Sequence, residues 1–218
     1  MLKQIIKILV IGAGNIGSRH LQGLMNISHR AFIEVVEPSE ENRKIARERA
    51  ITSRKSENKV EITFHKSINE IQIQEAHLAI IATNSDVRPL IIMELIKRVK
   101  LKYLILEKVV FQSDELFTQL SAELKSYGIK TWVNCPRRLY WFYQGVKNIV
   151  ADDEIIKMRV SGGNWGLGCN AVHFIDLFAF LTSDNNIKVE YSSLDKKLIE
   201  SKRKGFLEFT GSIGYSSA

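Results

Sequence analysis

The sequence predicts an α/β protein: a doubly wound parallel sheet followed by a smaller α+β domain. Three observations carry this. Buried-strand patterns alternate with helix patterns over residues 5–134. A glycine-rich turn, GAGNIG, joins the first strand to the first helix. Beyond residue 134 the alternation stops, and strands follow one another without intervening helices. Alternating elements pair their strands in parallel through right-handed crossovers, whereas the later pattern suits an α+β arrangement. We therefore divide the chain into domains 1–134 and 135–218.

The elements follow in order. Residues 5–11 are an unbroken apolar run, as a strand buried on both faces requires. Ile16, His20, Leu21, Leu24 and Ile27 recur at helical spacing over 15–28. FIEVVE is a second strand ending at Glu37, and EENRKIARERA a charged helix. Residues 51–59 read as a polar loop, Val60–Phe64 as a strand and Ser67–Ile73 as a short helix. LAIIAT is a strand ending at Thr83, and 86–99 a helix that admits Pro89 only in its first turn. YLILEKVV is a strand. Ser113 caps a helix whose first turn carries Asp114 and Glu115, next to the positive end of the helix dipole. Gly128 ends that helix, and IKTWVN is the last strand of the first domain. In the second domain, PRRLYWFYQGVKNIV reads as a connecting helix and EIIKMRV as a strand. CNAVHFIDLFAFL reads as an apolar helix, and IKVEYSSL and GFLEFTGSI as two further strands.

Composition narrows the function classes. Hydrophobic residues make up 45% and charged residues 25% of the 218, ordinary for a globular protein. No apolar run approaches the roughly 20 residues of a membrane helix. The N-terminal MLKQIIKILVIGAG runs from a strand into glycines without a cleavage site, so a cytoplasmic location is expected. Cys135 and Cys169 fit a reducing compartment and make no zinc spacing, so no metal is expected. The net charge is +7, but the basic residues (Arg43–Arg54, Lys97–Lys102, Lys196–Lys204) lie on solvated helix faces or loops. We expect an anionic small molecule as the reason for the excess, and neither nucleic acid nor membrane as a partner.

The glycine turn has the spacing G-x-G-x-x-G at Gly12, Gly14 and Gly17. Gly12 makes the tight turn, Gly14 lets a pyrophosphate approach the backbone, and Gly17 brings the helix close to the strand. The free N–H groups of the following residues, Asn15 and Ile16 first, then face the phosphates. The pattern alone is common. Here it follows a strand and opens a helix, and an acidic residue, Glu37, stands 20 positions beyond Gly17. Its carboxylate suits ribose hydroxyls and repels a 2′-phosphate, so NAD is expected over NADP. Arg43, one turn into the next helix, is the residue that would tolerate NADP. The plain alternative for Glu37 is a solvated strand-end carboxylate.

GAGNIGSRHLQGL, AIIATNSDVR, LILEKVV and NAVHFIDLF together resemble, in order and spacing, the Gfo/Idh/MocA family of glucose–fructose oxidoreductase and inositol dehydrogenase relatives. The resemblance implies an N-terminal Rossmann domain, a C-terminal α+β domain, and hydride transfer between a nicotinamide and a hydroxyl of a sugar, polyol or nucleotide sugar. The family's Glu-Lys-Pro motif reads Glu107-Lys108-Val109 here, which makes Lys108 the catalytic candidate and Glu107 a cofactor-side residue. Thr83 and Asn84 stand where the family has Thr-Pro against the cofactor ribose, and Arg88 replaces a usual His. His173 matches the family's second catalytic position, and imidazole titrates in the range needed to take a hydroxyl proton. The carboxylate expected four residues earlier is Cys169, with Asn170 beside it as a substrate-orienting group. Asp176 is expected to pair or cap. Arg138, next to Arg137, is the expected substrate-holding cation.

The chain stops where the family's second domain continues, so that domain is short relative to the family, and an open sheet edge there invites self-association into a homo-oligomer. The competing reading is a non-catalytic dinucleotide-binding protein or an inactive fragment, on the grounds of the missing Asp, the missing Pro and the short C-terminus.

Overall fold

The computed structural model describes residues 5–54, 59–153, 155–202 and 205–217. The chain divides into two compact units between Asn134 and Cys135. The first unit runs β1 (Ile6–Ile11), α1 (Asn15–Leu24), β2 (Ala31–Val36), α2 (Glu40–Ser53), β3 (Val60–His65), β4 (Glu75–Ile81), α3 (Arg88–Arg98), β5 (Lys100–Leu106), α4 (Asp114–Ser126) and β6 (Lys130–Val133). Its six strands form one parallel sheet in the order β3-β2-β1-β4-β5-β6. The chain winds one way from β1 and then returns to wind the other, so β1 and β4 flank the switch point where open α/β sheets bind ligands.

The period of two in β1 divides the core. Ile8 and Val10 join Ile33, Val35, Leu21, Met25 and Ala46 on one face. Leu9 and Ile11 join Ile81, Ile92, Leu95, Leu104 and Leu120 on the other. Each fully buried Leu or Ile side chain contributes about 1.5–3 kcal/mol of hydrophobic free energy.

The second unit contains a 3-10 turn (Pro136–Leu139), α5 (Trp141–Ile149), α6 (Leu167–Thr182), β7 (Lys188–Leu194), β8 (Ile199–Glu200), β9 (Leu207–Glu208) and β10 (Gly211–Ser216). β7 pairs antiparallel with β10, and β8 antiparallel with β9. The parallel sheet of the first unit and the antiparallel pairs of the second fit the α/β fold with a smaller α+β domain read from the sequence. Among the described residues no helix is long and apolar enough to cross a membrane.

Several boundaries differ from the sequence expectation, each for a local reason. The first helix stops at Leu24 instead of reaching 28, because the Asn26 side chain donates to the Gln22 carbonyl at 2.9 Å and takes the place of a continuing turn. The loop expected from 51 begins later, since α2 continues to Ser53; Lys55–Asn58 lie outside the described residues. The helix expected at 67–73 is a single 3-10 turn, Ile68–Glu70. Its continuation is diverted because the N–H groups of Gln72 and Ile73 donate to the Glu34 carboxylate at 3.0 and 3.3 Å. The strands read as LAIIAT and YLILEKVV end at Ile81 and Leu106.

In the second unit the connecting helix breaks at Tyr140, whose backbone is extended. EIIKMRV is not a strand over 155–160, because its alternation finds no strand partner among the described residues; Glu154 lies outside them. GFLEFTGSI is two strands, not one. Glu208 turns to α6, and Gly211 adopts φ +122° with its backbone pressed on Ser193 and Leu194.

Candidate functional site

Parallel pairing of Ile11 with Ile81 carries the chain at the end of β1 and the chain at the end of β4 side by side into the switch-point crevice. Gly12 opens the turn with φ +86° and donates its N–H to the Val36 carbonyl at 2.8 Å. A Cβ there would lie 3.0 Å from the Ala82 carbonyl carbon and from Thr83 Cγ2. At Gly17 a Cβ would lie 1.9 Å from the Gly12 carbonyl oxygen, so only glycine lets α1 start this close to the strand. Gly14 differs from both. Its nearest neighbour would be Asn42 Nδ2 at 4.0 Å, so its bare backbone faces open space and not the protein.

α1 has no side-chain N-cap and no acidic residue in its first turn. Its leading N–H groups, on the exposed Asn15 and Ile16, are therefore left uncapped by any side chain among the described residues at the positive end of the helix. The Thr83 hydroxyl across the crevice is buried without a hydrogen-bond partner among the described residues. These three features fit a dinucleotide: an open backbone face, an uncapped helix start and an orphaned hydroxyl beside them.

Glu37 follows β2 and is buried. Its carboxylate accepts from Ala13 N at 2.8 Å and from Ser39 N at 3.0 Å, tying the glycine turn to the end of β2. Arg43 Nη1 donates to the carbonyls of Glu37 and Pro38 at 2.6 and 2.7 Å, which aims it at the strand end. Asn84 is exposed immediately after Thr83.

Glu107 follows β5. Its Oε1 contacts His20 Nε2 at 2.7 Å and accepts from Asn134 Nδ2 at 2.6 Å. Burial alone would push its carboxyl up. The hydrogen bonds of His20 and Asn134 and the positive charges of His20 and Arg88 outweigh burial and hold it below the ordinary glutamate range. Lys108 is half-buried, and the Lys108–Val109 peptide bond is cis although Val stands where Pro was expected. Arg88 is only 2% exposed. Its Nη1 donates to the carbonyls of Glu107 (2.5 Å), Val109 (2.6 Å) and Val110 (2.8 Å), and its Nη2 donates to the Thr83 carbonyl.

In the second unit, α6 carries Asn170, His173 and Asp176 at spacing that keeps them near one face. Asn170 Nδ2 donates to the Trp165 carbonyl at 2.6 Å, and His173 is half-buried. Asp176 pairs with Arg138 through Nε at 2.9 Å and Nη2 at 2.6 Å, and this hydrogen bonding raises the Arg138 pKa above its ordinary value. Arg137 lies over the Phe174 ring at 4.1 Å. At the start of α6, the buried Glu208 carboxylate accepts from Gly168 N (2.8 Å) and Cys169 N (3.0 Å), putting a negative charge on the helix's positive end.

The first unit thus brings Gly12, Gly14, Asn15, Ile16, Glu37, Thr83, Asn84, Glu107 and Lys108 to the carboxyl end of one sheet. The second groups Arg138, Asn170 and His173 around α6. Sequence reasoning missed four supporting residues: His20, Arg88 and Asn134 around the lysine loop, and Glu208 at α6. The signals were a polar residue on an apolar helix face (His20) and a charge within an apolar run (Glu208 in FLEF).

A family model described as an oxidoreductase family with an NAD-binding Rossmann fold, Gfo/Idh/MocA, matches residues 6–135. No curated protein matches the chain. Among solved structures, an NAD-binding protein from Listeria innocua is similar at 18% identity and a TM-score of 0.63, over 84% of this chain and 56% of that one. GenD2 from gentamicin A biosynthesis, solved in complex with NAD, is similar at 14% identity and a TM-score of 0.67, over 87% and 57%. A super-repressor mutant of Gal80p from Saccharomyces cerevisiae is similar at 16% identity and a TM-score of 0.65, over 85% and 55%. At these identities the likeness is one of fold, and this chain spans little more than half the length of each. The family match covers more than half of the chain, from the first strand through the lysine loop. The chain belongs to the Gfo/Idh/MocA oxidoreductase family, with the NAD-binding Rossmann fold that makes NAD its cofactor.

Proposed function

We propose that this chain is a dehydrogenase that moves hydride between NAD and a hydroxyl-bearing carbon of a sugar, polyol or nucleotide sugar. The observation that carries the reading is the crevice itself. An uncapped helix start, an open Gly14 face and the orphaned Thr83 hydroxyl lie at the switch point, and Lys108 stands at the end of the strand beside β4. Gly12, Gly14, Asn15 and Ile16 would hold the pyrophosphate, Glu37 the adenosine ribose, and Thr83, Asn84 and Glu107 the nicotinamide side. The Glu37 carboxylate disfavours a 2′-phosphate, and Arg43 is already engaged with strand-end carbonyls, so NAD is preferred to NADP.

When bound, NAD supplies the hydride acceptor. The residues of this chain do the rest. Lys108 Nζ hydrogen-bonds the reacting hydroxyl and orients it, and on α6 of the second unit His173 is the candidate group for taking a hydroxyl proton. In the reverse direction the group that takes the proton returns it. Within the second unit, Asn170 is the candidate for orienting a substrate hydroxyl, and Arg138, fixed by Asp176, offers charge and donors to a polyhydroxylated or anionic substrate. The substrate class, a cytoplasmic setting and homo-oligomeric assembly belong to this reading.

Two measurements test it. Titration with NADH and NADPH, followed by nicotinamide fluorescence, should show binding that favours NADH. A panel of sugars and nucleotide sugars should then yield turnover that Lys108→Ala abolishes while NADH binding stays near wild type. Turnover retained in Lys108→Ala would refute the catalytic assignment, and absence of NADH binding would refute the site.

A further inference from the structure

A guanidinium with almost no solvent access needs several acceptors, because an unsatisfied buried charge is strongly unfavourable. Arg88 finds its acceptors in two places. Three are carbonyls of the loop that follows β5: Glu107, Val109 and Val110, at 2.5, 2.6 and 2.8 Å. The fourth is the Thr83 carbonyl, in the loop that follows β4. Lys108 lies between two of the first three acceptors, and Thr83 carries the orphaned hydroxyl of the crevice. Arg88 sits at the start of α3, which is anchored in the core through Ile92, Leu95 and Ile96. One rigid, planar fork therefore joins the lysine loop to the crevice wall. On the opposite side His20 and Asn134 hold the Glu107 carboxylate.

We propose that Arg88 is a positioning residue that fixes the Lys108 backbone relative to Thr83, and so relative to the nicotinamide side of the crevice. The proposal rests on the reading of Lys108 as catalytic. Its geometry does not depend on that reading. A lysine at 88 keeps the charge but presents a point donor on a flexible stem, which cannot span the two loops as a planar fork does.

The test uses the full chain with Arg88→Lys and Arg88→Gln. Hydrogen exchange by mass spectrometry should show opening of segments 83–88 and 106–112 accelerated by about 10-fold or more, with the α1, α2 and β1 segments unchanged. Acylation of Lys108 by a water-soluble amine reagent should change by about 5-fold, while exposed Lys100 and Lys130 react as in wild type. NADH affinity should stay within about 3-fold, because the pyrophosphate contacts lie on the glycine turn. Where a substrate is found, kcat should fall with KM little changed. Exchange raised evenly over the whole chain, unaltered exchange at 106–112, or loss of fold in both variants would overturn the proposal in favour of a general structural role. Turnover that survives Lys108→Ala would remove the catalytic reading alone, and the exchange and acylation results would still decide the role of Arg88.

Discussion

Gly14 and Gly17 differ by three positions but should fail in opposite ways when each is replaced by alanine. At Gly17 the added Cβ would stand 1.9 Å from the Gly12 carbonyl oxygen, where about 3.0 Å is the closest tolerable approach, so α1 or the turn must move by roughly 1.1 Å. The neighbours that must move with it are Ser18 and Leu21 on α1, both buried, and half-buried Ala82, whose Cβ would be 3.3 Å away. Overpacking of this kind costs about 1–3 kcal/mol, which lowers Tm by roughly 2–4 °C per kcal/mol in a chain of this size. At Gly14 φ is −63°, which alanine adopts, and the nearest atom is 4.0 Å away. The folded state should lose less than about 0.5 kcal/mol there. The methyl group would instead occupy the face that a pyrophosphate must touch, weakening NADH by about 10–100-fold, or 1.4–2.7 kcal/mol. Denaturant unfolding and NADH fluorescence titration of both variants separate the two effects. A Gly14→Ala protein that binds NADH like wild type would refute the placement of the phosphates. A Gly17→Ala protein as stable as wild type would refute the packing argument.

Three further outcomes follow. Glu37→Ala should shift the NADH-to-NADPH affinity ratio toward NADPH by about 10-fold, read by parallel titrations, and an unmoved ratio would dissociate Glu37 from the ribose. The folded-state pKa of Glu107 is depressed, so its stabilising contribution is full above the ordinary glutamate value and is lost as pH falls through the folded value. The stability difference between wild type and Glu107→Gln should therefore be constant above the ordinary glutamate value of 4.5 and narrow as pH falls below it in urea unfolding, and a difference constant with pH throughout would contradict the network. Ser113→Ala removes the acceptor for Leu116 N and should cost about 1 kcal/mol in the same assay, with NADH binding unchanged.

What the sequence reveals about this site is set by the range of the interactions involved. The glycine turn, the Ser113 cap and the Gly128 terminus (φ +68°) are local, since each is fixed by backbone geometry within a few residues, and their spacing is visible in the string. Glu37 stood out by spacing alone, 20 positions beyond Gly17 and just after β2, although the turn N–H it accepts from is 24 positions away. Arg88 was not, because its partners include carbonyls 19, 21 and 22 positions away, and a carbonyl carries no residue identity. Read alone, Arg88 was a replaced histidine. The second unit shows the same limit in its strands. EIIKMRV alternates like a strand but finds no strand partner among the described residues, and GFLEFTGSI breaks where Glu208 leaves to cap α6.

The two kinds of interaction meet at Lys108. The local pattern picks out the lysine as a candidate, but its backbone position depends on non-local contacts from α1, α3 and the residue after β6: His20 and Asn134 on the Glu107 carboxylate, Arg88 on the carbonyls. Because these anchors come from three separate elements, the loop can keep one shape with Val109 in place of proline. The shape is imposed by partners outside the loop, so a change at Arg88 should reach Lys108 without passing through the glycine turn.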